Sequence, residues 1–365
     1  MAPPKLIGPD LTSQSAFNVN RARIGVRGAN FPLDGKTNYF LLVEFGNNAL
    51  TNAKDSYAPR VSDASITLNH IKGARVRMGL FKYPGSEEGL QGIGVLDYIN
   101  FTEVSNQMML ERTQSEYNVA RWNADANKTF SEYDRPVGAF RDVGIQVFDT
   151  FQTGGLETSY ALMIGNGNGV NFTDNNDDKD VYAYLSTEKV FGGKGGRREG
   201  LKGYAWYQAG KRSVDRNEDG SYDDTVKRQR WGVGATYLKK PFRVMAEYMK
   251  GENMIFAGPD KPDYQFGPSN GIDGEAKGYY LDVGYYIPGT KWELDARYDW
   301  YNRFIGQPHD ATFKTVTLGA QYHVNKKTRI TANYAFRSFG SDNATQDGVL
   351  DGVKGRAAIQ ITAIY

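Results

Sequence analysis

Apolar and polar residues alternate with a period of two through most of this sequence. The end of the chain shows the pattern, because Ile359, Ile361 and Ala363 share one face of an extended strand while Gln360 and Thr362 share the other. Successive side chains of a β-strand point to opposite sides, so this period indicates strands and excludes amphipathic helices. The chain is therefore predicted to be all-β, with one apolar and one polar face on almost every strand.

Fifteen segments show this alternation. The predicted strands cover about 16–28, 37–46, 60–70, 74–82, 136–149, 156–165, 179–190, 201–212, 227–238, 242–251, 276–287, 291–303, 312–324, 328–339 and 354–365. Short turns and long polar connections alternate between them, and the longest connection covers 83–135. This rhythm is typical of antiparallel barrels that have short turns at one end and long loops at the other.

Two architectures accommodate strands with one apolar face, a β-sandwich and a transmembrane β-barrel. Aromatic residues favour the barrel, since they lie at the ends of the apolar stripes, as Trp292 and Trp300 do on one predicted strand. A membrane barrel needs aromatic girdles at those two levels, whereas a sandwich core places its bulk in mid-strand. The predicted fold is a transmembrane antiparallel β-barrel, and a secreted protein made of several sandwiches is the weaker alternative.

Composition removes several functional classes. The chain has no cysteine, which excludes disulfides, thiolate metal sites and a cysteine nucleophile. Its 44 Lys and Arg nearly balance its 42 Asp and Glu, so there is no overall basic field of the kind that nucleic-acid-binding proteins have. No stretch approaches the roughly 18 apolar residues of a spanning helix.

Strand parity suggests that one strand is missing from the count. Bacterial single-chain barrels have even numbers of strands, and the first visible strand already leads into a short turn. We therefore expect a sixteenth strand in 1–15, or a sequence trimmed at its start, which also accounts for the lack of a visible signal peptide. The expected organisation is a single barrel domain over 1–365.

Four stretches resemble one family. They are 21–28 (Arg-Ala-Arg-Ile-Gly-Val-Arg-Gly), 61–82 (ending Arg-Val-Arg-Met-Gly-Leu-Phe-Lys), 109–112 (Met-Leu-Glu-Arg) and 161–167 (Ala-Leu-Met-Ile-Gly-Asn-Gly). In these the chain is similar to the phosphate-selective porins, the O and P porins of the Gram-negative outer membrane. The resemblance implies a 16-stranded barrel in that membrane, a homotrimer, a third loop (83–135 here) folded into the lumen, and a basic pore that passes anions.

If the apolar stripes face lipid, the opposite stripes line the lumen and carry more arginine than carboxylate. The candidate anion path consists of Arg21, Arg23, Arg27, Arg75, Arg77, Arg228, Arg230, Arg243, Arg297 and Arg329. Arginine stays charged and offers a planar fork to oxyanions, so an excess of it on a narrow wall favours anions. The competing interpretation is that lumen charges pair across strands and give little selectivity.

The long connection supplies acidic residues for the same lumen. Glu87, Glu88, Asp97 and Glu103 would face the arginine wall if this loop folds inward. Such pairing would hold the loop in place and form a constriction. Whether the loop also gates the pore is left open by the sequence.

One acidic loop has part of a calcium-binding pattern. Asp215, Asn217 and Asp219 have the spacing of the first three ligands, and Gly220 follows them, but Val226 stands where a bidentate glutamate is needed. A solvated loop is therefore the preferred interpretation. If a divalent ion did bind there, it would be able to bridge lipopolysaccharide.

The sequence thus predicts a porin for passive diffusion of small hydrophilic solutes, with a preference for anions and with phosphate-like oxyanions as possible substrates. No catalytic step is expected, because the three histidines lie far apart and none pairs with a serine on the lipid face. No cofactor is expected, and the expected partners are solutes, outer-membrane lipid and lipopolysaccharide, and two further copies of the chain. The alternative is a barrel that sheathes or docks a partner, such as an electron carrier, without transport as its main role.

Overall fold

The computed structural model describes most of the barrel and part of its loops. The described residues are 17–29, 34–46, 59–92, 94–110, 139–167, 169–170, 176–214, 224–256, 264–265, 274–307, 310–351, 353 and 355–364. All structural statements below concern these residues.

Fifteen antiparallel strands form one sheet in which each strand pairs with the next along the chain. Two further strands, β11 and β12, form a small separate ladder. The bounds are β1 Arg23–Ala29, β2 Thr37–Glu44, β3 Arg60–Leu68, β4 Arg75–Lys82, β5 Arg141–Thr153, β6 Leu156–Gly165, β7 Asp180–Gly192, β8 Glu199–Val214, β9 Asp224–Lys239, β10 Phe242–Glu252, β11 Ile255–Phe256, β12 Tyr264–Gln265, β13 Glu275–Tyr286, β14 Trp292–Arg303, β15 Ala311–His323, β16 Thr328–Ser341 and β17 Arg356–Ala363.

This arrangement confirms the predicted antiparallel barrel and its fifteen strands. The largest differences in bounds are at the starts of two strands. β1 was predicted from residue 16 and begins at Arg23, and β5 was predicted from residue 136 and begins at Arg141 after two residues with positive φ, Ala139 and Phe140. The β11–β12 ladder was not predicted, because two-residue strands are too short to show a period. The predicted strand in 1–15 lies outside the described residues. Within the described residues, β1 and β17 form the two ends of the sheet.

Among the described residues, helical structure is confined to three short pieces. They are α1 Glu87–Leu90, a π-helical turn at Ser105–Met109, and α2 Ala344–Leu350. Within the described part of the chain, no helix has the length and apolar character needed to cross a membrane.

Burial in the strands is inverted relative to a soluble protein. On β13, Tyr279, Leu281 and Val283 are 40%, 45% and 37% exposed, while Tyr280 and Asp282 between them are each 1% exposed. The other long strands follow the same rule, with apolar side chains outside and polar ones inside. Water does not favour so large an apolar exterior, so the outer face is the surface that contacts lipid.

Aromatic pairs mark two levels on this outer face. At the end with the short turns, the ring centroids of Trp292 and Tyr322 are 4.9 Å apart, and those of Phe242 and Tyr285 are 5.4 Å apart. Near the end with the long loops, the pairs are Tyr279 with Trp300 at 5.6 Å and Trp231 with Tyr248 at 5.7 Å. Trp292 and Trp300 are separated by about 26 Å of strand, close to the roughly 25 Å of a lipid-facing band. We call these two levels of the barrel the short-turn end and the long-loop end.

Candidate functional site

The connection between β4 and β5 turns into the barrel and fills part of its interior. We call its described residues, 83–92 and 94–110, the inner segment. The segment leaves β4 at the long-loop end and reaches the short-turn end, where Asp97 contacts Arg197 of the β7–β8 turn. It then returns, and the Met108 carbonyl accepts a hydrogen bond of 3.1 Å from Arg230. The inner segment therefore runs down and back along the interior wall.

Three arginines hold the tip of the inner segment. Asp97 forms ion pairs with Arg197 and with Arg243, the latter at 3.0 Å. Arg329 donates a hydrogen bond to the Leu96 carbonyl. Burial acts to lower the pKa of Arg197, but Asp97, Tyr286 and Glu293 raise it above its usual value. Arg197 therefore stays charged, and the tip is fixed by permanent charges.

Arg243 lies at the centre of a cluster of carboxylates. Its guanidinium contacts Asp282 at 2.9 Å, Glu293 at 3.1 Å and Asp295 at 2.6 Å, in addition to Asp97. The three wall carboxylates come from β13 and β14, and Asp97 comes from the inner segment. One buried cation thus joins the inner segment to two strands of the wall. Because buried carboxylates need a counter-charge, this contact fixes where the tip can lie.

A second arginine anchors the middle of the inner segment. Arg297 of β14 contacts Glu88 at 3.2 Å and donates a hydrogen bond of 3.1 Å to the Asn100 carbonyl. Its guanidinium also lies over the Tyr98 ring, 4.3 Å from the centroid. Glu88 in turn accepts a hydrogen bond of 2.7 Å from the Thr102 hydroxyl. The two arms of the inner segment are therefore tied to each other and to β14.

Glu247 of β10 receives hydrogen bonds from both the wall and the inner segment. Its carboxylate accepts from the Trp206 indole at 2.7 Å, the Tyr280 hydroxyl at 2.7 Å and the Ser86 hydroxyl at 3.0 Å. Sequence reasoning did not single out these four residues as a group. They lie on separate strands and loops, and only the folded chain brings them together.

The four predicted loop acids have different partners. Glu88 and Asp97 contact arginines of the wall, as described above. Glu87 forms an ion pair of 2.6 Å with Lys202, a residue that was not predicted. Glu103 accepts a hydrogen bond of 2.9 Å from Gln107, while its backbone N–H donates to Asp299 at 2.9 Å. All four lie in the interior.

The inner segment also packs directly on backbone. A Cβ built on Gly278 of β13 would lie 2.8 Å from the Val104 side chain and 2.6 Å from the Trp300 carbonyl oxygen. Only glycine leaves room for the inner segment to come this close to the wall.

We expect Gly278→Val to destabilise the protein by about 2 kcal/mol, because the added methyl groups must displace Val104 or the adjoining strand. Unfolding in urea, followed by tryptophan fluorescence, measures the change. Gly203→Val is the matched control, since a Cβ there meets nothing within 4 Å. Equal effects of the two substitutions would contradict the close packing.

The opposite side of the interior carries more cations than acids. On β1, β4 and β5 and in the residues before β1 lie Arg21, Arg23, Arg75, Arg77, Lys82 and Arg141. We call these six the basic wall. Three carboxylates pair with them, Glu44 with Arg23 at 2.5 Å, Asp63 with Arg141 at 2.9 Å and Asp149 with Arg75 at 3.0 Å.

One member of the basic wall, Lys82, is held by the inner segment, since its ammonium donates hydrogen bonds to the carbonyls of Gly89 at 2.8 Å and Gln91 at 2.7 Å. Arg77 is the member that we consider for contact with solute. Its Nε donates a hydrogen bond of 3.3 Å to the Thr67 hydroxyl, and no described carboxylate lies within 4 Å of its guanidinium. The group lies over two aromatic rings, 4.8 Å from the centroid of Phe148 and 5.4 Å from that of Phe81. Stacking orients the guanidinium and leaves its edge free to donate to an anion.

The ten predicted pore arginines fall into two groups. Arg228, Arg230, Arg243, Arg297 and Arg329 are buried and contact the inner segment, with Arg228 and Arg230 donating to its backbone carbonyls. Arg21, Arg23, Arg75 and Arg77 belong to the basic wall, and Arg27 is exposed on β1. The alternation places both groups on one stripe and gives no signal that separates them.

The predicted calcium ligands Asp215, Asn217 and Asp219 lie outside the described residues. Among the residues that are described, no group of three or more His, Asp or Glu side chains has an arrangement that suits a metal ion.

Solved structures share this fold at low sequence identity. A Salmonella typhi OmpF complex with daunomycin matches with a TM-score of 0.60 and 15% identity, over 96% of this chain and 93% of that one. An anion-selective porin from Comamonas acidovorans matches with 0.55 and 15%, over 95% and 89%. The trimer form of OmpT, an outer membrane protein of Vibrio cholerae, matches with 0.50 and 14%, over 94% and 87%.

No protein of curated function is similar enough in sequence to count as a relative. The sequence profile of the Gram-negative porins, however, matches residues 8–342, which is most of the chain. The profile agrees with the antiparallel barrel, its lipid-facing exterior and its polar interior. This protein belongs to the Gram-negative porin family and is a channel of the outer membrane.

Proposed function

We propose that the channel passes small hydrophilic solutes by passive diffusion, without a catalytic step, and that it prefers anions. The observation that carries the preference is the basic wall, and within it Arg77, whose guanidinium has no described carboxylate within 4 Å. The six cations of this wall face three paired carboxylates, which leaves an excess of positive charge. A low-dielectric wall focuses such a field on passing ions.

The side that the inner segment covers carries charges of both signs. Arg197, Arg243 and Arg297 are paired with Glu88, Asp97, Asp282, Glu293, Asp295 and Asp299. Three further buried arginines, Arg228, Arg230 and Arg329, lie on the same side. The interior thus has a basic wall across from a side on which acids and arginines are paired, and an anion is drawn toward Arg75 and Arg77.

Finer assignments rest on resemblance and on neighbours. Arginine forks suit phosphate-like oxyanions, and four stretches of the sequence resemble the phosphate-selective porins. One neighbour is described as an anion-selective porin and another as a trimer. We propose phosphate-like oxyanions among the solutes and a homotrimer as the assembly, with lipopolysaccharide around its long-loop end.

Reversal potentials across a planar bilayer in a KCl gradient test the proposal. We expect the wild-type potential to have the sign of chloride preference. The double substitution Arg75→Gln/Arg77→Gln should lower the chloride-to-potassium permeability ratio at least about twofold, because it removes two fixed charges from the wall.

Lys189→Gln/Lys239→Gln is the matched control, since both lysines are exposed on the barrel exterior. It removes the same charge and should leave the ratio unchanged. A cation-selective wild type would overturn the anion preference. A folded barrel that passes no current would overturn diffusion itself and favour a sheath that houses a partner.

A further inference from the structure

The short-turn end carries a ring of exposed lysines. Among the described residues these are Lys36, Lys72, Lys189, Lys194, Lys239, Lys240, Lys291, Lys326 and Lys327. They lie in or beside six of the seven short connections, so they surround the barrel instead of forming one patch. We call them the lysine ring.

Few acids compensate this charge. The same turns and strand ends hold Asp34, Glu157, Glu188, Glu199 and Glu293 among the described residues, and Glu293 is buried and paired with Arg197 and Arg243. Arg198 forms ion pairs with both Glu157 and Glu188, and its distance to Glu157 is 2.5 Å. The lysine ring therefore keeps a large positive excess at one end of a chain that is almost neutral overall.

Two ring members continue the stripes that face lipid. Lys189 follows Val181 and Leu185 on the outer face of β7, and Lys239 follows Val233 on that of β9. The Nζ of Lys239 lies 5.7 Å from the centroid of Phe191, a girdle residue. These lysines thus stand just beyond the aromatic girdle, at the depth of the lipid headgroups.

The position and chemistry of the ring indicate its partner. The short turns of outer-membrane barrels face the periplasm, where the adjoining leaflet consists of phospholipid. Lysine is a compact point charge on a flexible stem, which suits mobile phosphate headgroups. An acidic protein would need a localised patch on the end of the barrel, whereas this charge surrounds its circumference, and Lys189 and Lys239 lie on its outer face.

We propose that the lysine ring binds anionic phospholipids of the inner leaflet and so enriches them around the short-turn end. The attraction is electrostatic, and each lysine near such a surface contributes to it. This role is independent of which solute the channel passes, so it stands or fails separately from the anion preference.

Quenching of Trp292 by brominated lipid tests the proposal. Trp292 is exposed on the outer face at the short-turn end, directly after Lys291. After Trp231→Phe and Trp300→Phe, Trp292 is the one tryptophan among the described residues that remains on the outer face. We expect brominated phosphatidylglycerol to reach half-quenching at about threefold lower mole fraction than brominated phosphatidylcholine at low salt, and the two lipids to become equal at high salt.

Four substitutions near Trp292, Lys239→Gln, Lys240→Gln, Lys291→Gln and Lys326→Gln, should together abolish the preference. The matched control changes four exposed lysines of the long-loop end, Lys179, Lys211, Lys227 and Lys314, to glutamine and should keep it. Lysine-to-arginine changes at the first four positions should also keep it. Equal quenching by the two lipids in the wild type at low salt, or equal loss in both glutamine variants, would overturn the proposal.

Discussion

Arg243→Met is expected to destabilise the protein by about 4 kcal/mol, because it leaves four carboxylates without their shared cation. Asp97, Asp282, Glu293 and Asp295 are 5%, 1%, 0% and 4% exposed. Water cannot replace the guanidinium at such burial without displacing the tip of the inner segment. Arg197 reaches Asp97 and Glu293 from the β7–β8 turn but contacts neither Asp282 nor Asp295, so it compensates only half of the cluster.

Urea unfolding of the reconstituted protein, followed by tryptophan fluorescence, measures this loss. Arg27→Met is the control, because Arg27 is exposed on β1. This substitution removes the same charge without leaving a buried acid unpaired. Its cost should stay within about 0.5 kcal/mol. A loss below about 1 kcal/mol for Arg243→Met would show that the carboxylate cluster does not depend on this arginine.

The alternation of the sequence was sufficient to predict the barrel. A period of two reports directly which side of a strand meets lipid, so residues such as Leu281 and Val283 could be placed outside before any pairing was known. Register follows from the same information, because a shift by one residue would turn every apolar side chain inward. Short connections without a period, such as the β11–β12 ladder, carried no comparable signal.

The inner segment could be anticipated but not placed. Its acids and its position in the chain suggested that it folds inward, yet Arg77 and Arg297 occupy equivalent places in the alternation. Whether an inward arginine meets solute or is covered by the loop depends on contacts between residues more than 200 positions apart, such as Glu88 with Arg297. No local pattern encodes such pairs.

The residues that were missed share one physical reason. Trp206 and Tyr280 lie on different strands, and Ser86 lies on the inner segment, so the hydrogen bonds that they donate to Glu247 exist only after the barrel has formed. Arg197 lies in a turn, where the strand pattern assigns no facing. For Arg197, the sequence offers only one sign of an inward contact, which is its charge in a short turn after a glycine-rich stretch.

A thiol reagent added to the pore is expected to react with a cysteine engineered on the basic wall and hardly at all with one engineered on the side that the inner segment covers. The chain has no cysteine of its own, so a single introduced thiol is the only reactive one. Arg77→Cys places it on the basic wall. Gln208→Cys places it on β8 at a side chain that is 0% exposed and lies against Gly85 of the inner segment.

The most direct test of this account is the current through each variant while an anionic, thiol-specific reagent is added. At Arg77→Cys the reagent should react and reduce the current by about half or more, because it puts negative charge and bulk on the wall along which anions pass. At Gln208→Cys the current should stay unchanged. Block at Gln208→Cys, or no effect at Arg77→Cys, would contradict an interior in which the inner segment covers one wall and leaves Arg77 on the basic wall open to solutes.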